Sequence, residues 1–152
     1  MSYEDRLREL GIQLPSPPTP MANYVPYIVS GKLIFVSGQT PTVDGTIVSG
    51  MLGRDMTVEE GAAAARICGL FVLAQARAAL GGDLSKLTRC VKLSGFVTST
   101  PDFFDQPKVV NGASDLMVEV MGDAGRHARF AVGVPALPGG AAVEVEAVFE
   151  RA

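Results

Sequence analysis

Four consecutive apolar residues, Leu33-Ile34-Phe35-Val36, constrain this chain more than any other feature. They are bounded by Gly31-Lys32 before and Ser37-Gly38 after, too short a run for a helix and rich in β-branched and aromatic types, so they read as a strand. Side chains alternate across a strand, so this one is apolar on both faces, as strands covered on both sides are. A 152-residue chain with few helices can cover only one side of its sheet, and the other cover is then expected from another subunit. Composition agrees. Apolar residues make up 47% and charged residues 19%, with a mean hydropathy of +0.26. That is too apolar for a disordered chain and high enough to suggest a second buried surface.

The rest of the chain supplies the elements of one domain, residues 1–152. Residues 1–22 read as a helix followed by a proline-rich extension. Ser2 caps the helix, Leu7 and Leu10 share a face, and Gly11 stops it. Pro15, Pro17, Pro18 and Pro20 make an extended connector over the surface. Tyr27–Ser30 and Leu33–Ser37 are strands meeting at Gly31-Lys32, followed by a glycine-rich excursion through Asp44-Gly45, Gly50 and Gly53. Thr57-Val58-Glu59-Glu60 is a capping box opening a helix that runs to Leu80 and stops at Gly81-Gly82. Its buried stripe is predicted at Ala63, Ile67, Leu70, Phe71 and Ala74. Arg89–Thr98 is a strand in which Cys90, Lys92, Ser94 and Phe96 alternate against Val91, Leu93 and Val97. Pro107 suits the start of a helix with a stripe at Val109, Ala113, Leu116, Met117 and Val120, closed by Gly122. Arg126–Val134 and Ala142–Glu150 are the last strands. The order ββ-α-β-α-ββ is that of an α+β layer, two helices on one face of a mixed sheet.

Several function classes are disfavoured. Thirteen Lys+Arg against sixteen Asp+Glu give a net charge of −3, which supplies no basic field for nucleic acid. No apolar stretch is read as approaching the ~20 residues of a membrane span, and the polar N-terminus, MSYEDRLREL, is not a signal peptide. Two cysteines and one histidine make neither a disulfide framework nor a zinc cluster, and no metal site or cofactor is expected. The expected location is cytoplasmic.

Two strands carry the residues with chemical potential. On the last, Glu144, Glu146 and Glu150 share a face opposite Val143, Val145, Ala147 and Phe149: either a solvated carboxylate face, or a cleft wall holding a general acid/base. On the strand before it, Arg129 shares a face with Ala131 and Gly133. It is either a surface arginine or a guanidinium beside a hollow, suited to gripping a small carboxylate. His127 is either an acid/base or a capping residue, and Cys68 and Cys90 read as small core fillers.

These residues, with Gly31 through Ser37-Gly38-Gln39-Thr40-Pro41, Gln106–Asn111, Ala128-Arg129, Leu137-Pro138 and Val143-Glu144-Val145-Glu146-Ala147, resemble the Rid family. These are the YjgF-type 2-iminoacid deaminases, once described as L-PSP endoribonucleases. The resemblance runs from about Tyr24 to Glu150. Asp105–Asp115 and Gly125–Arg129 are similar to a longer bacterial subgroup. The resemblance implies a chorismate-mutase-like fold assembled as a barrel-shaped homotrimer, with sites in clefts between subunits. It implies that Arg129 holds the substrate carboxylate and that Glu144 positions or activates water. Tyr24 then lines the cleft, Asn111 lies near its floor, and Ser37 and Gly38 form the loop beside the ligand. Ala131 stands where these deaminases usually carry a cysteine, so only its backbone is expected to contribute. Phe130 stands where Ser or Thr is common and reads as core packing. The leading helix and proline segment are extra to the short deaminases and are expected to narrow the cleft. The activity implied is hydrolysis of 2-imino and enamino acids to 2-oxoacids and ammonia without a cofactor. The alternative is a non-catalytic module binding small carboxylates.

Overall fold

The computed structural model describes residues 1–18 and 22–152, so Pro20 and its neighbours lie outside the described residues. The elements are α1 (Tyr3–Glu9), β1 (Tyr27–Ser30), β2 (Leu33–Gln39), β3 (Thr42–Val43), β4 (Thr46–Ile47), α2 (Val58–Ala79), β5 (Leu87–Thr98), α3 (Gln106–Met121), β6 (Ala128–Val134) and β7 (Val143–Arg151). Five strands form one sheet in the order β1-β2-β7-β5-β6. β5 and β6 run parallel, joined across α3, and every other pair in this sheet is antiparallel. The glycine-rich excursion begins as a separate hairpin, β3–β4, turning at Asp44-Gly45 with both residues at positive φ. An Asp-Gly pair favours that turn because it tolerates the left-handed backbone the turn needs.

The helix starts read from the Ser2 cap and from the Thr57–Glu60 capping box both form as expected. Ser2 accepts from the Asp5 N–H, and Thr57 accepts from the Glu60 N–H while the Glu60 carboxylate accepts from the Thr57 N–H at 3.0 Å. α1 is not a flap narrowing a cleft. Its Leu7 is in the core, Arg6 Nε donates to the Glu119 carbonyl at 2.9 Å, and Glu4 pairs with Arg77 on α2. The helical layer therefore has three helices rather than two.

The buried stripe of α2 lies elsewhere than the large residues suggest. Of the expected stripe Ala74 is buried, Ala63 is exposed and Ile67, Leu70 and Phe71 are half-buried, whereas Gly61, Ala64, Ala65, Cys68, Gly69, Val72, Leu73 and Ala76 are buried. The reason is close helix–helix approach. A Cβ at Gly112 on α3 would fall 1.9 Å from the Ala62 carbonyl oxygen, so the small residues are themselves the contact surface. α2 is also, among the described helices, long and apolar enough to cross a membrane (mean hydropathy 1.3 over 18 residues), contrary to the reading that nothing approaches span length. Half of that window is buried inside the fold, as in a core helix.

Beneath the helices the sheet presents Ile34, Val36, Leu93, Val97, Val143, Val145, Ala147 and Phe149, all buried. Truncating Phe149 to Ala would cost about 3–5 kcal/mol. The strict alternation expected along β5 is interrupted by a register shift between Cys90 and Lys92, which puts Cys90 in the core with Leu93. β6 begins at Ala128 rather than Arg126, because Gly122–Gly125 form a 3-10 turn.

Among the described residues no helix covers the other sheet face. Phe35 sits between Ile28 and Val148, and Phe96 between Glu144 and Val132. Ile28, Phe35, Phe130 and Val132 are 53, 44, 36 and 40% exposed, too much adjoining apolar surface for this face to be an ordinary solvated one. Phe130 belongs here rather than to the core: its ring meets Phe96 edge-on at 5.4 Å, with Lys92 Nζ 5.4 Å from its centroid.

Candidate functional site

Arg129 projects from β6, an edge strand, on the helix-covered side. Asn111 and Ser114 are three residues apart on α3, so they share a helix face and meet the guanidinium together. Nη1 of Arg129 donates to Asn111 Oδ1 at 2.8 Å and to Ser114 Oγ at 3.1 Å, which uses both of its N–H groups. One Nη2 N–H reaches the Pro107 carbonyl at 3.5 Å. Among the described residues Nε–H and the second Nη2 N–H have no protein partner, and the Nε/Nη2 side of a guanidinium is the edge that takes a carboxylate through two parallel bonds. Asn111 thus orients Arg129.

The hollow expected beyond Arg129 is only partly present. Ala131 packs against the core, and a Cβ at Gly133 would fall 2.6 Å from Ser99 Oγ and 2.8 Å from Gln106 Nε2, so these two side chains fill the space that the glycine leaves.

His127 immediately precedes β6, two residues before Arg129. Its Nδ1 is 2.6 Å from the Gly125 carbonyl and its Nε2 is 2.9 Å from Ser114 Oγ. A carbonyl only accepts, so Nδ1 carries a proton, and in the tautomer protonated there alone Nε2 accepts from the Ser114 hydroxyl. Together with Arg126, Asp115 and Val118, these residues line a cavity of about 270 Å³. Sequence reasoning weighed His127 and missed Ser114, although its position one turn after Asn111 on the stripe-bearing helix was a usable signal.

Glu144 lies on the helix-free face of β7. A Cβ at Gly38 would stand 2.5 Å from its Oε2, so the absence of a side chain at Gly38 is what admits the carboxylate against the β2 backbone. Burial raises the Glu144 carboxyl above its ordinary range, and the nearby Glu146 carboxylate raises it further. Ser37 Oγ donates to the Val25 carbonyl at 2.7 Å and Ser37 N–H donates to that of Pro26, fastening the 37–38 bulge to the segment after Tyr24. Tyr24, Gly38, Ser16, Pro18, Phe71 and Gln75 are among the residues lining a cavity of about 480 Å³. The proline segment, unlike α1, therefore does border part of the expected site. Gln75 is a buried glutamine that sequence reasoning missed, its polar side chain hidden in an alanine-rich helix.

The expected residues thus fall into two groups within one chain. Arg129, Asn111 and Ala131 stand at the β6 edge on the helix side, whereas Tyr24, Ser37, Gly38 and Glu144 stand toward the β1–β2 side. The first group offers an anion grip and the second a carboxylate with raised proton affinity beside exposed backbone. Cys68 and Cys90 belong to neither group. Both are buried, and burial pushes the Cys68 thiol well up and that of Cys90 to about 12.

A family model described as "YjgF/chorismate mutase-like, putative endoribonuclease" matches residues 4–150. Protein TCP17 of Trypanosoma cruzi is 54% identical over 146 residues, covering 95% of this chain and 91% of that protein. The solved structure of Atu1372 from Agrobacterium tumefaciens, a protein of unknown function, is 50% identical with a TM-score of 0.91, over 99% of this chain and 92% of that one. Escherichia coli TdcF, solved with bound serine, shares the fold at a TM-score of 0.65 and 23% identity, over 90% of this chain and 94% of that one.

Proposed function

Because this chain belongs to the YjgF/chorismate mutase-like family, we propose that it hydrolyses small 2-imino or enamino acids to 2-oxoacids and ammonia in clefts between subunits of a homotrimer. The observation that carries this reading is the free side edge of Arg129, held by Asn111 and Ser114 and left open to a carboxylate. A relative of the same fold binds serine, itself a small amino carboxylate. The uncovered apolar sheet face supports assembly, and assembly in turn brings the β6 edge of one copy beside the β1–β2 side of the next.

The chemistry asks little of the protein, since an imine carbon is already electrophilic. Arg129 fixes the substrate by its carboxylate. Glu144 of the neighbouring copy accepts a proton from water as the water oxygen bonds to the imine carbon and the C=N electron pair moves onto nitrogen, which takes up a proton. The protonated Glu144 then gives its proton to the amino group of the carbinolamine, the C–N bond breaks as the hydroxyl oxygen forms the C=O and releases its proton to solvent, replacing the one the nitrogen had drawn from solvent, and ammonia and the 2-oxoacid leave.

The test is a coupled assay in which an amino acid oxidase generates iminoacids in situ. Ammonia release accelerated by the protein is expected. Protein that binds a 2-oxoacid through Arg129 yet never accelerates release would be the binding module instead.

A further inference from the structure

We propose that Ser114 and His127, with Arg129 beside them, form a second reactive centre, an acyl-transfer site for small anionic activated esters. Nothing in the iminoacid chemistry calls on a hydroxyl nucleophile, yet the parts of one are here in reach of each other. Ser114 Oγ is 2.9 Å from Nε2 of His127. The Gly125 carbonyl, 2.6 Å from Nδ1, fixes the tautomer that leaves Nε2 as a proton acceptor. A nucleophile, a base within hydrogen-bond reach and a third group orienting that base are the geometric requirements of covalent catalysis. Arg129 Nη1, donating to the same Oγ at 3.1 Å, favours the alkoxide over the hydroxyl, since a nearby cation stabilises a forming anion.

Arg129 could be held by Asn111 alone. A tether also has no need of a histidine whose free lone pair faces the hydroxyl rather than the guanidinium. The cavity over these groups, about 270 Å³, carries Arg126, which also pairs with Asp123, and Asp115 on its wall, so the selection of an anionic acyl group falls to Arg129, whose guanidinium adjoins the Ser114 hydroxyl. In the reaction, Ser114 Oγ bonds to the ester carbonyl carbon as its proton passes to His127 Nε2, and the C=O electron pair moves onto oxygen, where Arg129 is the nearest cation. The C–O bond to the leaving alcohol then breaks, and His127 returns the proton to that alkoxide. Solvent water attacks the acyl-serine in the second half, with His127 again taking and returning the proton, and a carboxylic acid is released.

The probe is the 4-nitrophenyl monoester of succinic acid, given to the full-length protein. Wild type should show a burst of 4-nitrophenolate stoichiometric with chain, and mass spectrometry should find one succinyl group on the peptide carrying Ser114. Ser114→Ala, a substitution that favours a helix, should lose both. His127→Gln should slow the burst by ~10²-fold or more. Ser114→Cys, which keeps a nucleophile in place, should still acquire the succinyl group. A burst that persists in Ser114→Ala, or a label on another residue, would overturn the proposal. So would a wild type that is never acylated while Ser114→Ala only weakens 2-oxoacid binding, for then the pair merely holds Arg129. Iminoacid hydrolysis is followed on the same samples, so each activity stands or falls by its own product.

Discussion

Arg129 and Glu144 face opposite sides of one sheet. Leu93 on β5 pairs with Arg129 on one side and with Ala147 on the other, so Arg129 and Ala147 share a face, and Glu144 lies three residues from Ala147, an odd step that turns it to the other face. Two strand spacings and three residues of rise put their backbones roughly 14 Å apart. A small ligand gripped by Arg129 therefore cannot touch Glu144 of the same chain, and a shared site requires two copies.

That requirement predicts an oligomer, and the trimer that the family resemblance implies would be roughly 48 kDa, three times the 15.9 kDa chain. Phe35→Glu combined with Val132→Glu places charge on the exposed apolar face and should give monomers without loss of helix content. Light scattering coupled to gel filtration checks both. A wild-type monomer stable at micromolar concentration would remove the inter-subunit site altogether.

Losses at the two residues should differ in kind. Arg129→Ala removes one partner of a charge-assisted pair, about 2–5 kcal/mol or roughly 30- to several-thousand-fold in affinity, so both 2-oxoacid binding and turnover collapse. Arg129→Lys restores only part, because a point charge cannot match the two-pronged edge. Glu144→Gln should leave calorimetric binding nearly intact and slow hydrolysis by ~10²-fold or more.

The pH dependence follows from Glu144. Burial first and Glu146 second both raise its folded-state pKa. Its contribution to stability is therefore present below the unfolded pKa and lost as pH rises through the raised folded value. Activity has the opposite sense, since the base must be ionised. The acidic limb of the pH–rate profile should lie above the ordinary carboxylate range. Glu146→Gln removes the second cause and should move that limb down without returning it fully; a limb that stays still or moves up in this variant contradicts the assignment.

Gly38→Ala tests the contact between backbone and carboxylate. The new methyl would stand 2.5 Å from Glu144 Oε2, the far end of a flexible side chain that can give way. The melting temperature should change little, while displacement of the carboxylate lowers kcat by up to ~10²-fold. Steady-state kinetics and a thermal melt on the same preparation separate the two effects.

The cysteines should be dispensable. Both thiols are buried and pushed toward the protonated form, so neither serves as a nucleophile. The double Cys68→Ala, Cys90→Ala variant should keep its turnover at a stability cost of about 1 kcal/mol or more from the cavities left. Inactivation of native wild type by iodoacetamide, with the variant spared, would show a thiol at the site.

Much of this was legible in the residues themselves. Thr57 and Glu60 marked the start of α2 because a cap is a local hydrogen-bond exchange, and Gly122 marked the end of α3 because a positive φ favours glycine there. The alternation Val143–Phe149 assigned the faces of β7 correctly. The stripe of α2 was not legible, because large apolar residues mark a face only where the neighbour stands at ordinary distance. Against α3, whose Gly112 lets Ala62 come close, alanine and glycine took that place. Phe130 was misplaced because apolar character alone does not distinguish a core from an uncovered sheet face.

The sequence by itself determined the main element types and the face of β7 carrying Glu144. Each depends on residues within a few positions, where periodicity, capping and steric limits act. The tertiary structure decided that Arg129 and Glu144 look away from each other, that Gly38 makes room for the carboxylate, and that Ser114 stands between His127 and Arg129. Those relations join residues 13 to 106 positions apart, brought together by strand register and helix packing. A one-residue change in a pairing reverses a side chain's face, so no local pattern can specify which chemical groups meet.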